Sequence, residues 1–323
     1  MSRLALAMVL PLALPFAASA GTLKLYTSQP NEDAQKTVDA FQAAHPDVTV
    51  EWVRDGTTQL MARMAAETEA GVPTPDILLI ADTVTLEGMA QEGQLAAYQS
   101  PEAENYDPAL YSDQGYYYST KLITTGIVYH TGAGAVPSSW ADLAGADYKG
   151  MVAMPSPLYS GAALIHLATL TTNDDLGWDY YQALADNDTR AEGGNGAVFK
   201  AVASGEKPYG VLVDYMALRA KAEGSPVEFV FPDEGLTYVT EPVAIMADAP
   251  NRADAEKFVD FVLSEAGQEL VVEMGYIPAR NGMDSPEGFP ARDSLKLMEF
   301  DAARTLADTE ANKTRFSEVF GVQ

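Results

Sequence analysis

The chain contains no cysteine. Disulfides, thiolate nucleophiles and cysteine-ligated metal sites are thereby excluded. Histidine is nearly as scarce: His45, His130 and His166 lie far apart and show no metal-ligand spacing. Basic residues are few, with 20 Lys and Arg against 46 Asp and Glu, a formal net charge of -26. Such a negative field disfavours nucleic acid and anionic membrane surfaces as partners. It leaves a small anion possible, because a small ligand feels adjacent N–H and hydroxyl donors more than charges beyond a Debye length. Motifs of enzymes are missing too. Ser160-Gly161 is not a Gly-x-Ser-x-Gly elbow, and Ala191-Glu192-Gly193-Gly194-Asn195-Gly196 lacks the Gly-Lys-Ser/Thr of a phosphate loop. A carboxylate pair could still do acid–base work, but no local motif marks one. No catalytic residue, metal or cofactor is assigned, and a secreted hydrolase is the weaker class.

What the sequence does hold is enough apolar material for a large core. Its 323 residues are 47% hydrophobic, long enough for two lobes. Residues 1–20 read as a secretory signal: Arg3 opens it, Leu4 to Phe16 is apolar, and Ala18-Ser19-Ala20 is a small-residue cleavage site. The apolar run is short and broken by Pro11 and Pro15, which argues against a membrane span. No lipobox cysteine follows it. The expectation is a soluble periplasmic chain starting at Gly21, with a net charge of 19 − 46 = -27 once Arg3 is removed.

From Gly21 onward, strand and helix patterns alternate. Thr22 to Thr27 and Val48 to Val53 read as strands, and Asp76 to Asp82 as a strand buried on both faces. Helices follow each, with Val38, Phe41 and Ala44 on one face of the first. Leu122 to His130, Lys149 to Pro155, Tyr209 to Val213 and Val227 to Phe231 continue the strand pattern. Thr237 to Ala247 reads as a long strand interrupted at Pro242, and the residues after Arg280 as charged helix. The alternation argues for open α/β sheets, whose ligands bind beyond the strand carboxyl ends.

Those ends carry the candidate site. Val53-Arg54-Asp55-Gly56-Thr57-Thr58 is a strand–Gly–Thr–Thr–helix turn. Unpaired N–H groups and the positive dipole end suit it to an anion, and equally Thr57 or Thr58 could simply cap the helix. Ser28 and Asp82 fall at neighbouring strand ends. Ser160-Gly161-Ala162 opens a second helix, Asn195 a third, and Asp214-Tyr215 ends another strand.

Several stretches, taken in order, resemble the periplasmic solute-binding proteins of ABC transporters, in the branch that includes ferric, sugar-phosphate and 2-aminoethylphosphonate binders. They are Leu25-Tyr26-Thr27-Ser28, Phe41 to Pro46, Asp55-Gly56-Thr57-Thr58, Pro75-Asp76-Ile77-Leu78, Pro137 to Leu143 with Tyr148-Lys149-Gly150, Ala255 to Ser264, and Tyr276-Ile277-Pro278. The resemblance implies a type II two-lobe periplasmic-binding-protein fold: α/β, each lobe a mixed sheet flanked by helices, joined by crossing hinge strands. It places residues 21–120 plus 241–280 in one lobe and 121–240 plus 281–323 in the other. The cleft would then be lined by Ser28, Gln29, Thr57, Thr58 and Asp82 on one side, and by Ser160, Gly161, Ala162, Asn195, Asp214 and Tyr215 on the other. Partners implied are a small anionic or zwitterionic ligand and an inner-membrane permease with its ATPase, the binding protein being a monomer.

Ferric members of the branch place two adjacent tyrosines where this chain reads Asp214-Tyr215-Met216. That departure favours an organic phosphonate or phosphate, 2-aminoethylphosphonate first, with Asp82 or Asp214 pairing its ammonium and Tyr215 packing on its carbons. Ferric ion is the alternative. A polyamine binder would use the acidity but would leave both anion-type helix starts unexplained.

Overall fold

The structure is a computed structural model that describes residues 21–322, with the backbone alone of Asp293. The expected leader, residues 1–20, lies outside the described residues.

The chain opens with β1 (Thr22–Thr27), α1 (Asn31–Ala44), β2 (Thr49–Arg54), α2 (Thr57–Glu69), β3 (Ile77–Leu79) and α3 (Thr83–Gln91). In β1, Leu23 and Leu25 are fully buried while Thr22 and Lys24 face outward, the period-2 signature of a strand. In α1, Ala34, Val38 and Phe41 form the buried stripe at helical spacing. Two short 3-10 turns then lead to β4 (Tyr117–Ser119) and the long strand β5 (Lys121–His130). The second half adds α4 (Trp140–Leu143), β6 (Val152–Met154), α5 (Gly161–Thr171), α6 (Gly177–Asp186), β7 (Arg190–Ala191), α7 (Asn195–Ala203), β8 (Tyr209–Val213) and α8 (Asp214–Ala222). It closes with β9 (Val227–Val230), β10 (Thr237–Val239), β11 (Pro242–Ile245), α9 (Arg252–Leu263), α10 (Glu265–Glu273), β12 (Ile277–Pro278) and α11 (Ala302–Phe320).

These strands form two sheets. One runs β2-β1-β3-β11-β4, with β1 parallel to β2 and β3 and with β11 antiparallel to β3 and β4. The other runs β10-β5-β8-β6-β7, with β9 and β12 also paired to β5. Each sheet has its own core. Leu23, Leu25, Phe41, Ile77 and Phe258 fill the first lobe; Trp140, Tyr181, Leu184, Val211 and Phe316 fill the second. Each fully buried side chain of this kind contributes about 1.5–3 kcal/mol.

The stretch expected as a long strand interrupted at Pro242, Thr237 to Ala247, is two strands in two sheets. The break falls at Thr240-Glu241, where Glu241 takes φ +38. A residue forced into the left-handed region cannot continue a strand. A second crossing lies beside it: the backbone N–H groups of Thr120 and Lys121 both donate to the Thr240 carbonyl, at 3.2 and 3.3 Å. Lys121 and Glu241 then meet as a buried ion pair at 2.5 Å. These two crossings form the hinge.

The C-terminal stretch also differs from expectation. Residues 279–301 are irregular apart from a 3-10 turn at Arg292–Ser294, because Gly282, Pro286, Gly288 and Pro290 interrupt any helix. Helix α11 follows and packs on α3 of the first lobe as well as on α5 and α6 of the second. No helix among the described residues is long and apolar enough to cross a membrane.

Candidate ligand cleft

Between the lobes lies a cleft of about 630 Å³, reached by the ends of β1, β2 and β8 and by the starts of α2, α5 and α7. Seven of the eleven residues expected there do line it: Ser28, Thr57, Ser160, Gly161, Ala162, Asn195 and Tyr215.

The start of α2 is built differently from a threonine cap. Gly56 is the N-cap and makes no side-chain hydrogen bond to the first turn. Asp55 Oδ1 accepts from the Gly56 N–H at 2.7 Å and holds the turn in place. The first N–H groups of α2 therefore have no capping side chain, and Thr57, buried, lies at the cleft wall. A second uncapped start faces it from the other lobe. Gly194 is the N-cap of α7, again without a side-chain bond. Asn195 Oδ1 accepts from Val213 N–H at 3.3 Å, which ties α7 to the end of β8. The ring of Tyr159 lies over both glycines: a Cβ on Gly56 would stand 3.3 Å from its Cζ, and one on Gly194 would stand 2.9 Å from its Cε1.

The start of α5 is capped by its own residue, Ser160 Oγ accepting from Ala163 N–H at 3.3 Å. Gly161 there serves closure. A Cβ on it would lie 2.9 Å from both the Ala81 carbonyl and Asp82 Cβ of the other lobe. Ser28 Oγ accepts from Ala81 N–H at 2.8 Å and fixes that opposing backbone.

Four expected residues are placed elsewhere. Thr58 is exposed and, with Asp82 and Lys313, lines an adjoining cavity of about 180 Å³ that shares Thr57 and Gly161 with the cleft. Gln29 is buried, its amide donating to Glu241 Oε2 at 3.2 Å. Asp82 is the N-cap of α3, accepting from Thr85 N–H at 3.0 Å and from Thr85 Oγ1 at 2.6 Å. Asp214 opens α8 without capping it. Its carboxylate accepts from Thr124 N–H at 3.0 Å, Thr124 Oγ1 at 2.7 Å and Tyr215 N–H at 2.6 Å. Burial raises both acids, Asp82 above the usual carboxylate range and Asp214 to about 6. Local donors engage both carboxylates, and neither residue lines the cleft.

Two charged side chains line the cleft instead, and sequence reasoning missed both. Arg54, the last residue of β2, donates Nε to the Gln29 carbonyl at 2.9 Å. Among the described residues its terminal nitrogens meet no carboxylate. Its position at a strand carboxyl end was the available signal. Glu241 lines the floor, held by Lys121 and Gln29; it was hidden inside an apparent strand. Tyr215 and Met216 supply an aromatic and thioether wall, and burial together with the negative charge of Glu241 pushes the Tyr215 phenol up. Among the described residues no three His, Asp or Glu side chains form a metal cluster. The cleft thus offers N–H donors and a guanidinium, with Glu241 paired to Lys121 in its lining.

A profile of bacterial extracellular solute-binding proteins matches residues 72–306. The chain belongs to that family. It is a solute-binding component of an ABC importer, and its relatives are transport binding proteins rather than enzymes. The chain is 26% identical over 306 residues to a putative 2-aminoethylphosphonate-binding periplasmic protein of Salmonella typhimurium, covering 87% of this chain and 86% of that one. The periplasmic binding protein AfuA of Actinobacillus pleuropneumoniae, solved with exogenous fructose-6-phosphate, superposes with TM-score 0.84 at 22% identity, over 94% and 99% of the two chains. Iron-bound HitA of Pseudomonas aeruginosa superposes with TM-score 0.80 at 21% identity, over 92% and 99%. The two-lobe fold of type II binding proteins is common to this chain and both solved structures.

Proposed function

We propose that the protein captures a small organic phosphonate or phosphate in the interlobe cleft and delivers it to its permease, with 2-aminoethylphosphonate as the leading solute. The observation that carries this reading is the pair of glycine-capped helix starts, α2 and α7, brought from opposite lobes to one cavity that Arg54 also lines. Uncapped N–H groups at a helix start bind oxyanions, and a guanidinium adds charge-assisted bonds. Tyr215 and Met216 pack on the solute's carbons, and Glu241, although paired with Lys121, is the lining acid left to face an ammonium group. The cleft would close as residues 21–120 plus 241–280 move against 121–240 plus 281–323. Residues 1–20 direct export to the periplasm and are removed from the exported chain.

The ferric alternative has less support. It needs a deprotonated phenol, and burial and Glu241 both oppose ionisation of Tyr215. A polyamine needs several cleft carboxylates, and Glu241 is the acid among the described lining residues. The test is a thermal-shift panel of 2-aminoethylphosphonate, hexose phosphates, glycerol phosphates, inorganic phosphate, spermidine and ferric citrate. A ligand bound only to the folded state raises Tm by mass action. A rise with a phosphonate or phosphate ester is expected; a rise with ferric citrate alone, with tyrosinate colour, would overturn the reading.

A further inference from the structure

Beside the hinge crossings, the two lobes are joined by a second buried cluster, with Lys121 Nζ standing 4.1 Å from the centre of the Tyr276 ring. Asp33 lies in the first turn of α1, in the first lobe, with its side chain 2% exposed. Arg219 lies in α8 of the second lobe and donates Nη1 to Asp33 Oδ2 at 3.1 Å and to Oδ1 at 3.3 Å. The hydroxyl of Tyr276, which precedes β12, donates to the same carboxylate at 2.5 Å. The guanidinium carbon stands 4.4 Å from the centre of the Tyr276 ring and 4.8 Å from that of Tyr215. The two tyrosine rings are themselves 4.5 Å apart. Tyr215 lines the solute cleft, so one aromatic side chain touches both the cleft and the interlobe ion pair.

We propose that Asp33, Arg219 and Tyr276 form a latch that sets the balance between open and closed lobes, and that the solute acts on it through Tyr215. The bonds between Asp33 and Arg219 join different lobes, so separating the lobes breaks them. The latch is built to be weak. Arg219 Nε and Nη2 are buried without a hydrogen-bond partner among the described residues. A charge taken out of water with donors left unsatisfied loses in desolvation much of what it gains in attraction. Such a pair biases closure without locking it. A solute that presses on Tyr215 then stabilises the closed form by fixing the ring against which Arg219 stacks. This inference does not depend on which solute fills the cleft.

The chain has no cysteine, so Glu69→Cys on the first lobe and Lys200→Cys on the second give a clean pair of dye sites, both exposed. Single-molecule energy transfer on the ligand-free protein then reads the closed-to-open ratio. Asp33→Asn keeps the shape but removes the charge, and should lower that ratio about tenfold, the effect of one charge-assisted interlobe bond. Arg219→Gln removes the cross-lobe partner itself, should lower it by a similar factor, and decides the matter if Asp33→Asn does not fold. An unchanged ratio in the folded variants, with only Tm reduced, would make the cluster a structural contact and overturn the latch.

Discussion

Arg54 and Glu241 ask for opposite charges on one solute, and each can be tested alone. Replacing Arg54 by Gln removes the guanidinium but not the uncapped helix starts. Affinity for a phosphonate or phosphate ester should fall about 10- to 100-fold, the value of one or two bonds to a charged group. Calorimetry on the variant checks this, and unchanged affinity would take Arg54 out of the site. A different prediction concerns stability. His166 is buried in α5, with Nδ1 2.8 Å from Thr237 Oγ1. Burial holds its pKa down to about 3. The unfolded histidine takes up a proton near pH 6.5, whereas the folded one stays neutral until about pH 3. Stability tied to His166 is therefore complete above pH 6.5 and is lost as pH falls through that window, by about 1.4 kcal/mol per unit. His166→Gln should lose about 2 kcal/mol less than the parent between pH 7 and pH 5 in urea melts. Parallel losses would show that His166 is protonated in the folded state.

At the scale of elements, the helix starts of α2 and α7 do the work that threonine hydroxyls were expected to do. A glycine cap leaves the N–H groups free, where a Ser, Thr or Asp cap would occupy them, as Ser160 and Asp82 do at α5 and α3. Adding a methyl group at Gly194 would force the Tyr159 ring away by a few tenths of an ångström or more. The ring is partly exposed and can swing, so Gly194→Ala should leave Tm nearly unchanged while weakening solute binding about tenfold. Tyr159→Ala in the same chain should add little further, since the ring is already displaced; full additivity would show that the glycine acts in some other way. Most elements were legible in the sequence because their periodicity is local: Leu23 and Leu25 in β1, and Val38 and Phe41 in α1. What escaped was set by long-range geometry. Pro242 marks a break within Thr237 to Ala247, but no local pattern tells that the chain changes sheets there. Likewise Asp82 and Asp214 look like ligand groups in sequence, and only the fold reveals Thr85 and Thr124 as their donors. Arg54 was legible by the same strand-end rule that picked out Thr57.

For the whole molecule, function rests on two bodies meeting across a hinge made of paired crossings. Gly161 is one point where their backbones approach, against the Ala81 carbonyl. Backbone cannot swing aside as Tyr159 can, so Gly161→Ala should hold the lobes apart. Small-angle scattering should then show a larger radius of gyration with solute present, at unchanged secondary structure; a radius equal to the parent's would mean the lobes close without that contact. The central claim is that the closed cleft is an oxyanion site built from two glycine-capped helix starts and Arg54. The most direct measurement is a calorimetric titration of the chain from Gly21 onward with 2-aminoethylphosphonate, repeated with Arg54→Gln and with ferric citrate. The account predicts saturable binding of the phosphonate by the parent, at least tenfold weaker binding by the variant, and no dependence on iron. Tight ferric binding with no response to phosphonate or phosphate esters would contradict it.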